Sequence, residues 1–280
     1  MEENRVIGMF DSGVGGLSVY KEIKKKLPNQ KIIYVGDTKR FPYGSKAKET
    51  IIKASIECIN FLISKNVSQI VIACGTATSQ ALDTVKNIYK IPIEGIISPT
   101  VRYIEKNNYK RVGVIATRGT IKSNAWEENI KKVNSKVEVF NKACPLLAPM
   151  AEEGWTNNEI ARLTVKEYLK DFENLDALVL GCTHFPLFED IIKEYMPNTD
   201  IINTGKIIAN EMAESNASDA KAAEEEQQGG NVQKNILKNE EIDDSAAKIS
   251  EDEFYLTDTE CNFINVAEKI LNHPIEVKEF

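Results

Sequence analysis

QIVIACGTATSQALDTVKNIY, residues 69–89, contains the unit from which the fold is predicted. An apolar run, IVIA, is followed by Cys74, Gly75 and Thr76, and then by a pattern typical of an amphipathic helix. A short, continuous apolar run bounded by turn-forming residues is typical of a strand buried on both faces, as in a parallel sheet. The order of strand and helix therefore predicts one unit of an α/β fold.

The same unit recurs along the chain. Helical patterns such as LSVYKEIKKKL and NEIARLTVKEYLKDF alternate with six further apolar runs, each leading into Gly, Asp, Ser or Thr. These runs are RVIGMFDSG, KIIYVGD, IPIEGIIS, RVGVIATRGT, DALVLGCTH and DIINTG. Because strands that alternate with helices form parallel sheets covered by helices, we expect an α/β fold throughout.

Two parts of the sequence resemble each other. VIGMFDSGVGGLS aligns with RVGVIATRGTIKS, which places Ser12 opposite Thr117, 105 residues later. Cys74 and Cys182 each follow an apolar run and lie 108 residues apart. A general similarity among α/β units is the alternative explanation. The nearly equal offsets favour two similar halves, and a cleft between two halves is a common place for a small ligand.

The halves are assigned to residues 1–97 and 98–212. Residues 213–252 differ in kind, with no aromatic residue and with 11 acidic residues against four lysines. That surplus of seven negative charges equals the formal net charge of the whole chain, −7, and predicts a solvated acidic insertion. Residues 253–280 contain a strand pattern and an amphipathic helix, and are expected to return to the first half.

Composition excludes several classes of protein. The chain of 280 residues is 42% hydrophobic and 28% charged, which are ordinary globular values. Its negative net charge disfavours nucleic acid and anionic membranes as partners. The five cysteines are widely spread, so free thiols are expected, and two histidines are too few for most zinc enzymes. The acidic start of the chain does not resemble a signal peptide, so we expect a cytoplasmic protein.

The equivalent positions of Cys74 and Cys182 suggest acid–base chemistry by two thiols. The carboxyl end of a parallel strand and the helix N-terminus beside it form a ligand crevice, and that position favours the reactive thiolate. Inversion of a stereocentre by proton transfer needs a base on one face and an acid on the other, and a thiol can act as either. Two thiols in equivalent places therefore permit a racemase without a cofactor, whereas either cysteine alone would more often be a buried apolar filler.

Five segments carry a family resemblance: FDSGVGGLSVYKEI, YVGDTKRFPYGSK, VIACGTATSQAL, CPLLAPMAEEG and LGCTHFPLF. In this order and spacing they resemble the glutamate racemases of the aspartate/glutamate racemase superfamily. The resemblance implies two Rossmann-like domains around an interdomain active site, with no pyridoxal phosphate and no metal. It also implies interconversion of L- and D-glutamate for bacterial peptidoglycan, and thereby for cell wall and cell shape. We further expect a homodimer.

The resemblance also implies roles at matching positions. Cys74 and Cys182 correspond to the two catalytic thiols. Asp11 corresponds to the carboxylate beside the first thiol, and His184 to the imidazole beside the second, with Glu152 as its partner. Without the resemblance, Asp11 could equally be a helix N-cap and His184 a buried core residue. The expected substrate contacts are Asp11, Ser12, Tyr43, Gly44, Gly75, Thr76, Thr183 and His184.

One position departs from the family pattern. The first thiol of the family is usually followed by asparagine, in CNTA, whereas this chain has Gly75 in CGTA. Loss of a side-chain amide removes one polar contact, which commonly stabilises a complex by about 0.5–1.5 kcal/mol. On this reasoning, Gly75→Asn should improve turnover of the substrate.

Three other functions remain open. Gly13, Gly15 and Gly16 follow the first predicted strand, and Asp37 ends the next, which partly matches a dinucleotide-binding oxidoreductase. Ser18 breaks that pattern, because the third glycine or alanine is missing. A degenerate homologue that only binds amino acids is a second alternative, and aspartate racemase of the same superfamily is a third.

Overall fold

The computed structural model of the protein describes residues 5–229, 252–260 and 262–280. It contains two sheets in which every neighbouring pair of strands is parallel. The strands are β1 (Ile7–Asp11), β2 (Ile32–Gly36), β3 (Gln69–Ile72), β4 (Ile93–Gly95), β5 (Arg111–Ala116), β6 (Glu138–Ala143), β7 (Ala177–Leu180), β8 (Asp200–Asn203), β9 (Glu253–Leu256) and β10 (Val277–Glu279). The predicted α/β fold is confirmed.

Helices cover both sheets. They are α1 (Leu17–Lys26), α2 (Lys48–Ser64), α3 (Gly75–Ile88), α4 (Ile97–Lys106), α5 (Arg118–Lys122), α6 (Ala125–Val133), α7 (Leu147–Glu152), α8 (Glu159–Leu169), α9 (Glu189–Tyr195), α10 (Thr204–Gly229) and α11 (Phe263–Leu271). Short 3-10 turns occupy Thr38–Arg40, Tyr43–Ser45 and Phe185–Phe188. None of these helices, within the residues described, is long and apolar enough to cross a membrane.

The strand order repeats from one sheet to the other. The six-stranded sheet has the order β10-β9-β2-β1-β3-β4, and the four-stranded sheet has the order β6-β5-β7-β8. Strands β1 to β4 are thus arranged as β5 to β8 are, in agreement with the internal similarity of the sequence. Cys74 follows β3 and Cys182 follows β7, so the two cysteines occupy equivalent places in the two halves.

Each sheet has an apolar core on both faces. In β1, Ile7 and Met9 belong to one buried cluster and Phe10 to the other, because successive side chains of a strand point to opposite faces. The second sheet separates two further clusters in the same way, with Ile115 on one face and Val114 on the other. Cores on both faces explain the continuous apolar runs in the sequence.

The sequence patterns miss two strands. Strand β6, with the sequence EVFNKA, is partly exposed along its whole length and lies at an edge of its sheet. Strand β10 has three residues and lies at an edge of the other sheet. Edge strands with polar side chains lack the apolar run by which the buried strands were recognised.

The chain after the acidic segment lies against the first sheet. Strand β9 pairs with β2, with Ile33 opposite Glu253. The predicted insertion, residues 213–252, begins as a continuation of α10 to Gly229, and residues 230–251 lie outside the described part of the chain. Its last residue, Asp252, accepts hydrogen bonds from the Tyr20 hydroxyl (2.6 Å) and from the backbone N–H of Ile32 (2.7 Å).

Candidate active site

Cys74 and Cys182 lie two residues after β3 and β7, the equivalent strands of the two halves. The backbone after β3 bonds to β1, from Ala73 N to Phe10 O, and the backbone after β7 bonds to β5 in the same manner. Cys74 caps α3, since its Sγ accepts a hydrogen bond from the N–H of Ala77 at 3.5 Å. The two cysteines are only 4% and 6% exposed.

Asp11 and Ser12 lie beside Cys74. The Sγ of Cys74 donates a hydrogen bond to Ser12 Oγ at 3.7 Å. Asp11 is fully buried at the end of β1, and its two oxygens accept from Gly13 N at 3.0 Å and from Thr183 Oγ1 at 3.1 Å. Thr183 belongs to the other half. Helix α1 begins after Gly16 with no side-chain cap, so Asp11 is not a helix N-cap.

Burial favours the neutral forms of Asp11 and Cys74. Burial raises the pKa of Asp11, although His184 and the hydrogen bonds from Gly13 and Thr183 oppose the shift. Burial and the nearby Asp11 charge also raise the pKa of Cys74. The shift favours the neutral thiol of Cys74, which is the form that can donate a proton.

We expect the free energy of unfolding of Asp11→Asn, relative to that of the unmodified protein, to rise with pH above about pH 4, where Asp11 of the unfolded chain ionises. Since the folded pKa of Asp11 is raised above its unfolded value, about 3.9, wild-type stability is lost as the pH rises through the folded pKa. Asparagine has no charge to bury. Thermal unfolding at about pH 4 and at about pH 8 measures the change, and an equal difference between the two proteins at both pH values would contradict the expectation.

His184 and Glu152 lie beside Cys182. Nδ1 of His184 is 3.7 Å from the Cys182 Sγ, and Nε2 is 2.7 Å from Oε1 of Glu152. Burial by itself would lower the pKa of His184, but hydrogen bonds to Cys182 and Glu152 outweigh it and raise that pKa well above its ordinary value. His184 is buried, as the core alternative supposed, yet it bonds to a thiol and a carboxylate rather than only filling space.

Three threonine hydroxyls join the two halves near Cys74. Oγ1 of Thr76 is 2.9 Å from Oγ1 of Thr117 and 3.1 Å from that of Thr120, and the latter two are 3.0 Å apart. Gly44 lies against Thr117, since a Cβ at position 44 would be 2.5 Å from the Thr117 Cβ. Thr117 and Thr120 were not identified from the sequence, although the internal alignment of Ser12 with Thr117 marked the first of them.

The side chains of Tyr43 and Asp37 are bonded to each other. The Tyr43 hydroxyl donates to Asp37, which leaves the main chain of Tyr43 as its possible ligand contact. Asp37 is fully buried and also accepts from Arg40 Nε (2.8 Å) and Thr257 Oγ1 (2.9 Å). Because both oxygens of Asp37 are bonded within the protein, it does not offer the ribose contact that a dinucleotide site requires.

Gly75 touches the opposite half directly. A Cβ built on Gly75 would overlap the backbone carbonyl oxygen of Gly181. The segments that carry the two cysteines are therefore in contact through their main chains. The family pattern predicts an asparagine at this position, but the contact with Gly181 leaves no space for its side chain.

Known proteins of one racemase family are similar to this chain in sequence. A family model described as Asp/Glu/Hydantoin racemase matches residues 7–212. A glutamate racemase of Sulfurihydrogenibium sp. is 48% identical over 206 residues, which is 72% of this chain and 79% of that protein. A glutamate racemase of Persephonella marina is 46% identical over equal shares of the two chains.

A solved structure also resembles the whole chain. The glutamate racemase from Francisella tularensis, crystallised in complex with D-glutamate, superimposes with a TM-score of 0.83 at 36% identity. The superposition covers 99% of this chain and 97% of the other. With the family model matching most of its length, the chain belongs to the Asp/Glu/Hydantoin racemase family.

Proposed function

We propose that this enzyme interconverts L- and D-glutamate by two proton transfers at the α-carbon, one with Cys74 and one with Cys182. The observation that carries the proposal is the pairing of each thiol with its own polar group. Ser12 contacts Cys74, with Asp11 adjacent, and His184 contacts Cys182. Glutamate as substrate is further supported by the glutamate racemases to which the chain is similar.

The reaction proceeds through two proton transfers. With L-glutamate bound, the Cys182 thiolate removes the α-proton from one face, and the electron pair remains on the α-carbon as a carbanion. The Cys74 thiol then delivers its own proton to the opposite face, which yields D-glutamate and leaves Cys74 as the thiolate. The reverse reaction begins with Cys74 as base. His184, held by Glu152, can hold a proton at Nδ1 beside the Cys182 sulfur.

The carboxylates of glutamate are assigned to polar groups around the two thiols. The free N–H groups at the start of α3, at Gly75 and Thr76, favour an anion because of the helix dipole. The Ser12 and Thr183 hydroxyls and the main chain of Tyr43 and Gly44 complete the proposed contacts. Asp11 and His184 border the same site.

The cellular role follows from the product. D-glutamate would supply peptidoglycan synthesis, and we place the reaction in the cytoplasm. We propose a homodimer, which light scattering on the purified protein tests. Each half of one chain supplies one thiol, so the proposed site does not depend on a second subunit.

Circular dichroism of single enantiomers tests the activity. Purified protein, dialysed and treated with a chelator, should convert pure L-glutamate and pure D-glutamate to the same racemic mixture. The same assay with L- and D-aspartate separates glutamate racemase from aspartate racemase. Faster conversion of aspartate would replace glutamate as the substrate, and binding of glutamate without conversion would show a non-catalytic homologue. Activity that is lost on chelation and restored by zinc would contradict the cofactor-free mechanism.

A further inference from the structure

Tyr34 connects the core of the first half to the turn that follows β1. It lies in β2 and is fully buried in the apolar cluster on one face of the sheet. Its hydroxyl donates a hydrogen bond to the carbonyl oxygen of Gly13 at 2.7 Å. Burial raises the pKa of Tyr34 well above its ordinary value, so the hydroxyl remains a donor at every working pH.

The peptide between Gly13 and Val14 is hydrogen-bonded at both its carbonyl oxygen and its N–H group. Tyr34 binds its oxygen, and the N–H of Val14 donates to Oε1 of Glu152 at 3.2 Å. The same Glu152 oxygen accepts from Nε2 of His184 at 2.7 Å. One peptide of the first half is thus fixed by Tyr34 and contacts the carboxylate that holds His184 in the second half.

The same turn also orients Asp11. The N–H of Gly13 donates to Asp11 Oδ2 at 3.0 Å, while the carbonyl of Gly13 accepts from Tyr34. The hydroxyl lies so close to Gly16 that a Cβ at that position would be 2.5 Å away from it. The Tyr34 hydroxyl therefore contacts the turn at Gly13 and at Gly16.

We infer that Tyr34 is a positioning residue for the groups beside the two thiols, acting through the turn at Gly13 and Val14 on Asp11 and on the Glu152–His184 pair. The inference rests on the proposed racemase function. Tyr34 has no bond to either thiol, and it acts by restricting the turn. Because it acts on both sides of the site, its loss should slow proton transfer in both directions.

Tyr34→Phe tests the inference, because it removes only the hydroxyl. We expect kcat to fall about tenfold in both directions, with KM within about twofold of wild type, as for one lost positioning hydrogen bond. Hydrogen–deuterium exchange at residues 12–15 should become faster, since the turn loses its anchor. Tyr20→Phe is the matched control: it also removes a buried hydroxyl from the same cluster, one that bonds to Asp252. It should leave kcat and this exchange unchanged.

Two results would overturn the inference. An unchanged kcat in Tyr34→Phe, with a loss of thermal stability like that of Tyr20→Phe, would make Tyr34 a core residue only. A rise in KM at unchanged kcat would assign it to substrate binding. Failure of the racemase proposal is recognised separately, because wild-type protein would then lack turnover. The exchange comparison still decides the positioning role in that case, and equal exchange in both variants would reject it.

Discussion

Cys74→Ser and Cys182→Ser are each expected to lower kcat for glutamate racemisation by about 10²- to 10⁴-fold, the range attributed to general acid–base catalysis. A serine hydroxyl is a far weaker acid and base than a thiol, so each substitution removes proton transfer on one face of the α-carbon. Loss of either face stops racemisation. Because the enantiomers have equal free energy, kcat/KM must fall equally in both directions.

A reaction that needs proton removal from only one face of the α-carbon tests the role of each thiol separately. Elimination of HX from a β-substituted glutamate requires a base but no returned proton. We expect Cys74→Ser to retain elimination from the L-analogue and Cys182→Ser to retain it from the D-analogue. Cys144→Ala is the control, since Cys144 is a buried free cysteine whose Sγ bonds to the Lys142 carbonyl, and it should keep both activities. Near wild-type racemisation by either serine variant would contradict the two-thiol mechanism.

Gly75→Asn is expected to lower kcat/KM by about 10²-fold, the loss attributed to a displacement of about 1 Å in an active site. The Cβ of any residue at position 75 would overlap the Gly181 carbonyl oxygen, so the two segments that carry the thiols must separate. The family pattern alone led to the opposite expectation, that asparagine would improve turnover. Steady-state kinetics with both enantiomers decides between the two.

Gly75→Ala serves as the matched variant for that test. It introduces the same Cβ without an amide, so a steric effect should lower activity in both variants to a similar extent. If asparagine alone restored or raised kcat/KM, the halves would have room to move apart, and the amide contact would outweigh the overlap with Gly181.

The fold was largely predictable because buried parallel strands leave a local signal. The apolar runs that form β1, β3, β5 and β7 are continuous and end in small or polar residues. Strand β6 left no such signal, since its pairing with β5 depends on a distant segment rather than on its own composition.

The proposed site was predictable only at residues whose type and spacing mark them in the sequence. Cys74 and Cys182 follow similar runs, so their equivalence was visible. The bond from Tyr34 to Gly13 and the Thr76–Thr117 contact join residues that are 21 and 41 positions apart, and no local pattern marks them. The contact of Gly75 with Gly181 depends on how the two halves pack against each other, and the residue type at position 75 does not indicate that packing.

The near-complete burial of the proposed ligand groups has a kinetic consequence. Ser12, Cys74, Thr76, Cys182 and Thr183 are each at most 6% exposed, and we therefore expect glutamate to reach them when the two halves move apart. Apparent affinity is then the intrinsic affinity reduced by the fraction of molecules that are open. Turnover would be limited by opening and product release whenever proton transfer is faster, and kcat would then fall as solvent viscosity rises.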